Sequence, residues 1–202
     1  MKSMTYPEMA ADVLQLAVDL SLETVYLIGH SMGGKVAMMT ALDYPEAVEK
    51  LIVLDVAPVA YEHGYGKLFD LMENLPVNGI KNRDEAGEYL NREINDLQLS
   101  RFLLQNLVRG IQGFQWRIDL ANIRSNIQHI SGFPSIRAGS RYEKPTLFLG
   151  GEKSEFIRKE HHDVIHACFP LAAIRMMTGA GHMLHAEQPD KVAAVIAEFL
   201  RA

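Results

Sequence analysis

Two rhythms of apolar and polar residues run along the chain. Met9, Val13, Leu16, Ala17 and Leu20 recur at helical spacing behind Thr5, Pro7 and Glu8, a helix-start signal, so the first element predicted is a helix. TVYLIG, over Thr24–Gly29, is instead β-branched and aromatic without a charge, and KLIVLDVAP, over Lys50–Pro58, has a similar character and ends in Asp55 and Pro58. Both read as buried strands. The helical stretch Met32–Tyr44 between them is long enough for a crossover, which makes the two strands parallel. KPTLFLGG (Lys144–Gly151) and AAIRMMTGAG (Ala172–Gly181) predict two more strands around a helix over Ile157–Cys168, and a closing helix covers Pro189–Leu200.

The middle of the chain has another character. Val59–Tyr142 carries few strand signals and four amphipathic stretches: Gly66–Leu75, Arg83–Ile94, Leu97–Val108 and Ile118–His129. The expected organisation is an α/β core of residues 1–58 and 143–202 interrupted by a helical insert, 59–142. Pro134, Gly139 and Ser140 are the only clear punctuation on the return side of that insert. No internal repeat and no low-complexity segment is visible.

Composition narrows the partners. With 202 residues, 48% of them hydrophobic and 22% charged, the chain suits one sizeable soluble core. Its formal charge of -5 offers no basic field to a polyanion, and Lys and Arg do not cluster among aromatics, so nucleic acid is not expected as a partner. Cys168 stands alone, which rules out an intrachain disulfide framework and suits a reducing compartment. Pro7, Glu8 and Asp12 interrupt the opening residues where a signal peptide needs an apolar run, and no later run reaches the length of a membrane span. A cytoplasmic protein is the expectation.

The chemistry concentrates in VYLIGHSMGGKVAM, Val25–Met38. A nucleophile elbow needs a strand that delivers a serine, a helix that leaves with its N-terminus at the site, and small residues where the backbone is cramped. Gly29 and Gly33 flank Ser31 at two-residue spacing, and a helix opening at Met32 would aim the Met32 amide at an anionic oxygen beside the serine. A serine also needs a base. Of eight histidines, His182 follows a glycine-rich turn after the last predicted strand and precedes the last helix, which favours it over His185, three residues on. His30, inside the elbow, reads as structural or pocket-lining. His162 and His166 have the i, i+4 spacing of a metal pair, but no acidic pattern completes a site; a solvated helix face is the expectation, with no metal or cofactor.

GHSMGGKVAM, a helical insert and then GAGHMLHAEQPD together resemble the α/β-hydrolase superfamily over almost the whole chain, and GHSMGGK, LDVAPVAY and WRIDL resemble its small YbfF-like esterases. The resemblance implies an α/β-hydrolase-type parallel sheet flanked by helices with an inserted helical cap, Ser31 as the acylated nucleophile, His182 as the general base and Met32 as an oxyanion donor. In most of the superfamily the acid follows the seventh strand, here TLFLGGEKSEFI, where Glu152 and Glu155 are the only carboxylates. The resembled esterases place an aspartate at Asp55, which makes Asp55 the expected acid and the two glutamates the alternatives.

The expected function is therefore a serine esterase or thioesterase acting on a small-molecule acyl substrate, with carbon–carbon bond hydrolysis or a lyase step as a sister possibility. The insert would cover the site, and Met72, Leu75, Phe102, Leu103, Leu107 and Trp116 are either walls of an acyl pocket or the packing of the insert itself. The resemblance also implies about four strands and a His-Gly loop, source of a second oxyanion amide, ahead of Ser31; only a helix stands there, so the N-terminal part of the sheet is missing and Met1 reads as an internal start. A non-catalytic fragment or binding module is the alternative from a different class. The strand Val25–Ile28 is left as an apolar edge, which makes self-association an expectation.

Overall fold

The structure is a computed structural model that describes residues 3–61, 65–94, 96–111, 113–137 and 139–202; the expected start at Met1 lies outside them. In chain order, α1 (Tyr6–Asp19), β1 (Val25–His30), α2 (Met32–Asp43) and β2 (Val48–Leu54) come first. Then follow α3 (Tyr65–Glu73), α4 (Arg83–Ile94), α5 (Leu97–Leu104), β3 (Leu107–Gly110), β4 (Gly113–Trp116), α6 (Leu120–Ser125) and α7 (Ile127–Ser131). The chain closes with β5 (Thr146–Gly151), α8 (His162–Cys168), β6 (Ala172–Met177), α9 (Leu184–Glu187) and α10 (Pro189–Arg201). Two compact units result: Met4–Tyr61 with His129–Ala202, and Glu62–Gln128 with the first three residues.

In the first unit β1, β2, β5 and β6 form a wholly parallel sheet in the order β1-β2-β5-β6. The inner strands β2 and β5 are apolar on both faces because both faces are covered. Leu51, Val53 and Phe148 pack with Met38 of α2 and Ile165 of α8, while Ile52, Leu54, Leu147 and Leu149 pack with Leu184 and Val192 on the other side. Each such side chain, fully withdrawn from water, contributes about 1.5–3 kcal/mol. At the edge, β1 is half covered, with Tyr26 54% and Ile28 43% exposed. Tyr6 and Ala10 of α1 pack on Val36 and Met39 of α2, and Glu8 caps α1 by accepting from both the amide and the hydroxyl of Thr5.

Element boundaries shift for physical reasons. β2 stops at Leu54, short of Pro58, because Asp55 turns left-handed at φ 52°, and β6 stops at Met177, before a turn in which Gly179 has φ 76°. The helix expected over Ile157–Cys168 is a 3₁₀ turn, Lys159–His161, followed by α8. Residues 129–142 group with the sheet rather than with the insert: Tyr142 is fully buried, donates its hydroxyl to Val48 O at 3.1 Å and meets Phe169 edge-on.

In the second unit α4 falls where expected, but the helix predicted over Leu97–Val108 ends at Leu104. An antiparallel hairpin follows, pairing Leu107 with Trp116 and Arg109 with Phe114. It forms because Leu107 and Phe114 bury against Leu75 and Ala86, and because Gly113 supplies φ 125° at the turn. The stretch Ile118–His129 splits into α6 and α7 at Asn126, which leaves the helical region at φ -101° and ψ 7° while its side-chain amide also donates to Asn122 O. Met72 and Leu103 sit in a cluster with Phe69, Leu90 and Leu120, and Leu75 and Leu107 in the hairpin cluster, so these four are interior packing of the insert rather than open pocket walls. Trp116 donates its indole N–H to Met72 O at 2.9 Å, and Phe102 is exposed.

Candidate active site

The sheet of the first unit delivers three of its strand tips to one place. Ser31 continues the β1–β2 ladder by donating its amide to Leu54 O at 3.0 Å, and its own carbonyl accepts from Gly34 N and Lys35 N as α2 begins. One residue thus closes a strand and opens a helix, and it does so at φ 53°, a strained position for a side chain. The turn is so tight that a Cβ on Gly29 would lie 2.2 Å from Gly33 O. Gly33 itself faces open space; the second cramped position is Gly34, where a Cβ would meet Val56 Cγ1 at 2.7 Å. The expected pairing of Gly29 with Gly33 is therefore corrected to Gly29 with Gly34. Met32 is the first residue of α2, and first-turn amides of a helix have no carbonyl partner within it.

Asp55 extends the next ladder, donating its amide to Leu149 O at 3.0 Å, and its side chain is 0% exposed. Burial of a carboxylate demands partners. Gly151 N donates to Asp55 Oδ1 at 2.8 Å, the Ser154 hydroxyl donates to Oδ2, and His182 Nδ1 lies 2.8 Å from the same Oδ2. Gly151 has to be glycine, since a Cβ there would lie 2.2 Å from Gly181 O in the turn leading to His182. With an ionised Asp55, Nδ1–H donates and Nε2 is left as an acceptor facing Ser31 Oγ at 3.1 Å.

The loop carrying His182 is fixed from several sides. Gly181 N donates to Glu187 Oε2 at 2.8 Å, and the Phe156 ring stacks on the imidazole with centroids 4.0 Å apart and planes 22° apart. His30 Nε2 lies 2.8 Å from His182 O; a carbonyl only accepts, so this nitrogen carries the proton. Burial, reinforced by the neighbouring His182 and His185, pushes His30 from its ordinary 6.5 down to about 4, and the ring is neutral at pH 7. His185 lies edge-on to His30 at 4.5 Å.

Ser31, His182 and Asp55 are thus brought together, and the two glutamates are not. Glu152 caps the turn after β6, accepting from Gly179 N at 2.8 Å, while Glu155 is exposed and paired with Arg158. His162 and His166 lie on α8, and among the described residues no group of three His, Cys, Asp or Glu side chains is placed to hold a metal ion. Gly151, Ser154 and Phe156 were invisible to the sequence reading, because nothing in the spacing of GGEKSEF marks which of its residues turn back toward Asp55.

Residues 2–189 match the family described as alpha/beta hydrolase fold. The chain is 35% identical over 205 residues to the sn-1-specific diacylglycerol lipase ABHD11 of Xenopus tropicalis, covering 98% of this chain and 64% of the frog protein. It is 30% identical over 198 residues to esterase YbfF of Escherichia coli (strain K12), covering 98% of this chain and 75% of the bacterial one. A solved marine microorganism esterase superposes with a TM-score of 0.92 at 36% identity, over 98% of this chain and 78% of its own. The chain spans less than two thirds of the length of the frog lipase.

Proposed function

The chain belongs to the α/β-hydrolase family, and from that premise we propose that it is a serine hydrolase cleaving carboxylic esters or thioesters of small or medium acyl groups. The observation that carries this reading is the continuous line from Asp55 Oδ2 to His182 Nδ1 at 2.8 Å and from His182 Nε2 to Ser31 Oγ at 3.1 Å. Ser31 attacks the acyl carbonyl while His182 Nε2 takes its proton, and Asp55 holds the Nδ1–H tautomer and stabilises the imidazolium. The Met32 amide is the donor assigned to the oxyanion. His182 then gives the proton to the leaving group, and water hydrolyses the acyl-enzyme by the same route. The scheme draws only on side chains, one backbone amide and water. The names of the relatives, two esterases and a lipase, support an ester substrate. The buried thiol of Cys168 supports a reducing, cytoplasmic setting, and the exposed Tyr26 and Ile28 on edge strand β1 support self-association.

A fluorophosphonate label combined with a short-chain nitrophenyl ester assay tests the reading. Wild type is expected to label and turn over, Ser31→Ala to do neither, and Asp55→Asn to lose on the order of 10³–10⁴ in kcat. Folded wild type that takes no label overturns the enzyme reading in favour of a non-catalytic binding module.

A further inference from the structure

Lys35, four residues beyond Ser31 in α2, is 2% exposed, and among the described residues no carboxylate forms an ion pair with it. A lysine there helps neither the helix, whose N-terminal end disfavours a cation, nor the core, which an ammonium enters only when its donors are satisfied. Its surroundings explain its presence. Nζ donates to Ser131 O at 2.9 Å and Gly132 O at 2.6 Å, and sits 4.7 Å from the centre of the Tyr61 ring and 5.7 Å from that of Tyr6. Burial lowers its pKa to about 8, so it is cationic at neutral pH.

These partners are not random. Tyr61 is the last residue of the sheet unit before the insert, and Ser131 and Gly132 lie just after the chain returns. The two limbs of this neck also bond each other, Tyr61 N donating to Ser131 O, at the end of α7, at 3.0 Å. Tyr61 then reaches the site: its hydroxyl accepts from Ala57 N at 2.7 Å and donates to Phe156 O at 2.5 Å, and the two rings lie 5.0 Å apart. Phe156 is the ring stacked on His182, and its amide bonds the Ser154 hydroxyl that donates to Asp55.

We propose that Lys35 and Tyr61 are positioning residues for His182: together they clasp the neck of the insert and hold Phe156 flat on the imidazole. The proposal rests on the reading of His182 as base. Tyr61 is the joint, since one face takes the ammonium and its hydroxyl fixes the backbone of Phe156. Phe156 is the contact, filling the side of the imidazole that Asp55 and Ser31 leave free to tilt.

The test uses Tyr61→Phe, which deletes one hydroxyl, and Lys35→Met, which keeps length and loses charge, with Lys35→Arg as the conservative variant. Both deletions are expected to lower kcat and the rate of Ser31 labelling about 10- to 100-fold at unchanged KM, because a misaligned base slows chemistry and leaves binding intact. The double variant is expected to lose no more than the worse single one, and Lys35→Arg to keep most of the rate. In proton spectra the His182 ring signals, identified with His182→Gln, are expected to lose the upfield ring-current shift from Phe156 in both deletion variants. Unchanged kcat in Tyr61→Phe, losses that multiply in the double variant, or His182 signals that stay in place each overturn the clasp. The spectra need no turnover, so a wild type that fails to label while its variants still move the His182 signals breaks the catalytic reading and leaves the clasp standing.

Discussion

The sheet unit is richer in apolar residues than the insert, and the two are held together differently. In the sheet unit β2 and β5 are buried on both faces, and the ladders β1–β2, β2–β5 and β5–β6 run on to Ser31, Asp55 and Glu152. The insert has two small clusters, around Phe69 and Leu90 and around Leu107 and Phe114, with an exposed ion-pair triad in which Arg124 reaches Asp70 at 2.7 Å and Glu73 at 2.9 Å. A region whose backbone is fixed by neighbours on both sides can sustain the positive φ of Ser31 and Asp55; one built of short helices has little with which to hold strain. The aligned side chains of Ser31, His182 and Asp55 accordingly sit in the sheet unit.

The sharpest way to break this comparison is to add one methyl group to each unit. Gly29→Ala drives a Cβ into Gly33 O and is expected to abolish Ser31 labelling, a loss above about 100-fold, with a clear fall in Tm. Gly66→Ala, in α3 with nothing within 4 Å of the new carbon, is expected to stabilise slightly, by up to about 1 kcal/mol in urea titration. Equal effects would erase the distinction.

A smaller effect is expected from acid. The folded pKa of His30 lies near 4, below its ordinary 6.5, so between these values the unfolded chain binds a proton that the folded one refuses. Stability from this group is complete above about pH 6.5 and is lost as pH falls toward 4. His30→Gln is expected to flatten that part of the Tm-against-pH curve, and an unchanged acid slope would show that His30 is not held neutral. Smallest of all is Arg124→Gln in the insert. Exposed pairs are screened, so Tm is expected to stay within about 2 °C and to be insensitive to added salt; a larger fall would mean the triad, rather than the two clusters, holds the insert.

The same contrast decided what the sequence could reveal. The apolar runs VYLIG and TLFLGG are legible as strands, although β1 proves to be a half-covered edge and only β5 is buried throughout, and Ser31 and His182 each follow a strand at glycine-marked turns. Asp55 was legible from its place at the end of a strand together with the family resemblance, while its left-handed backbone was not. In the insert, LVRGIQGFQW carries no strong alternation, and its pairing depends on Leu75 and Ala86, far away in the chain, so Leu107 and Val108 read as the tail of a helix and Gly113–Trp116 as no element at all. Phe156 and Ser154 were hidden for a related reason: their roles come from the fold of a loop, and loops leave no period in a sequence.

The hydrogen bonds at the site join residues 127 and 151 positions apart in the chain, and this bears on when the site exists. During synthesis Ser31 and Asp55 can pair their strands early, but the imidazole arrives only after the entire insert, β5 and β6 have been made and docked. Loops of such length close late and slowly. Ser31 therefore meets its imidazole partner only at the end of folding, and the hydrogen-bonded line from Asp55 through His182 to Ser31 is a late product of assembly rather than a property of the elbow alone.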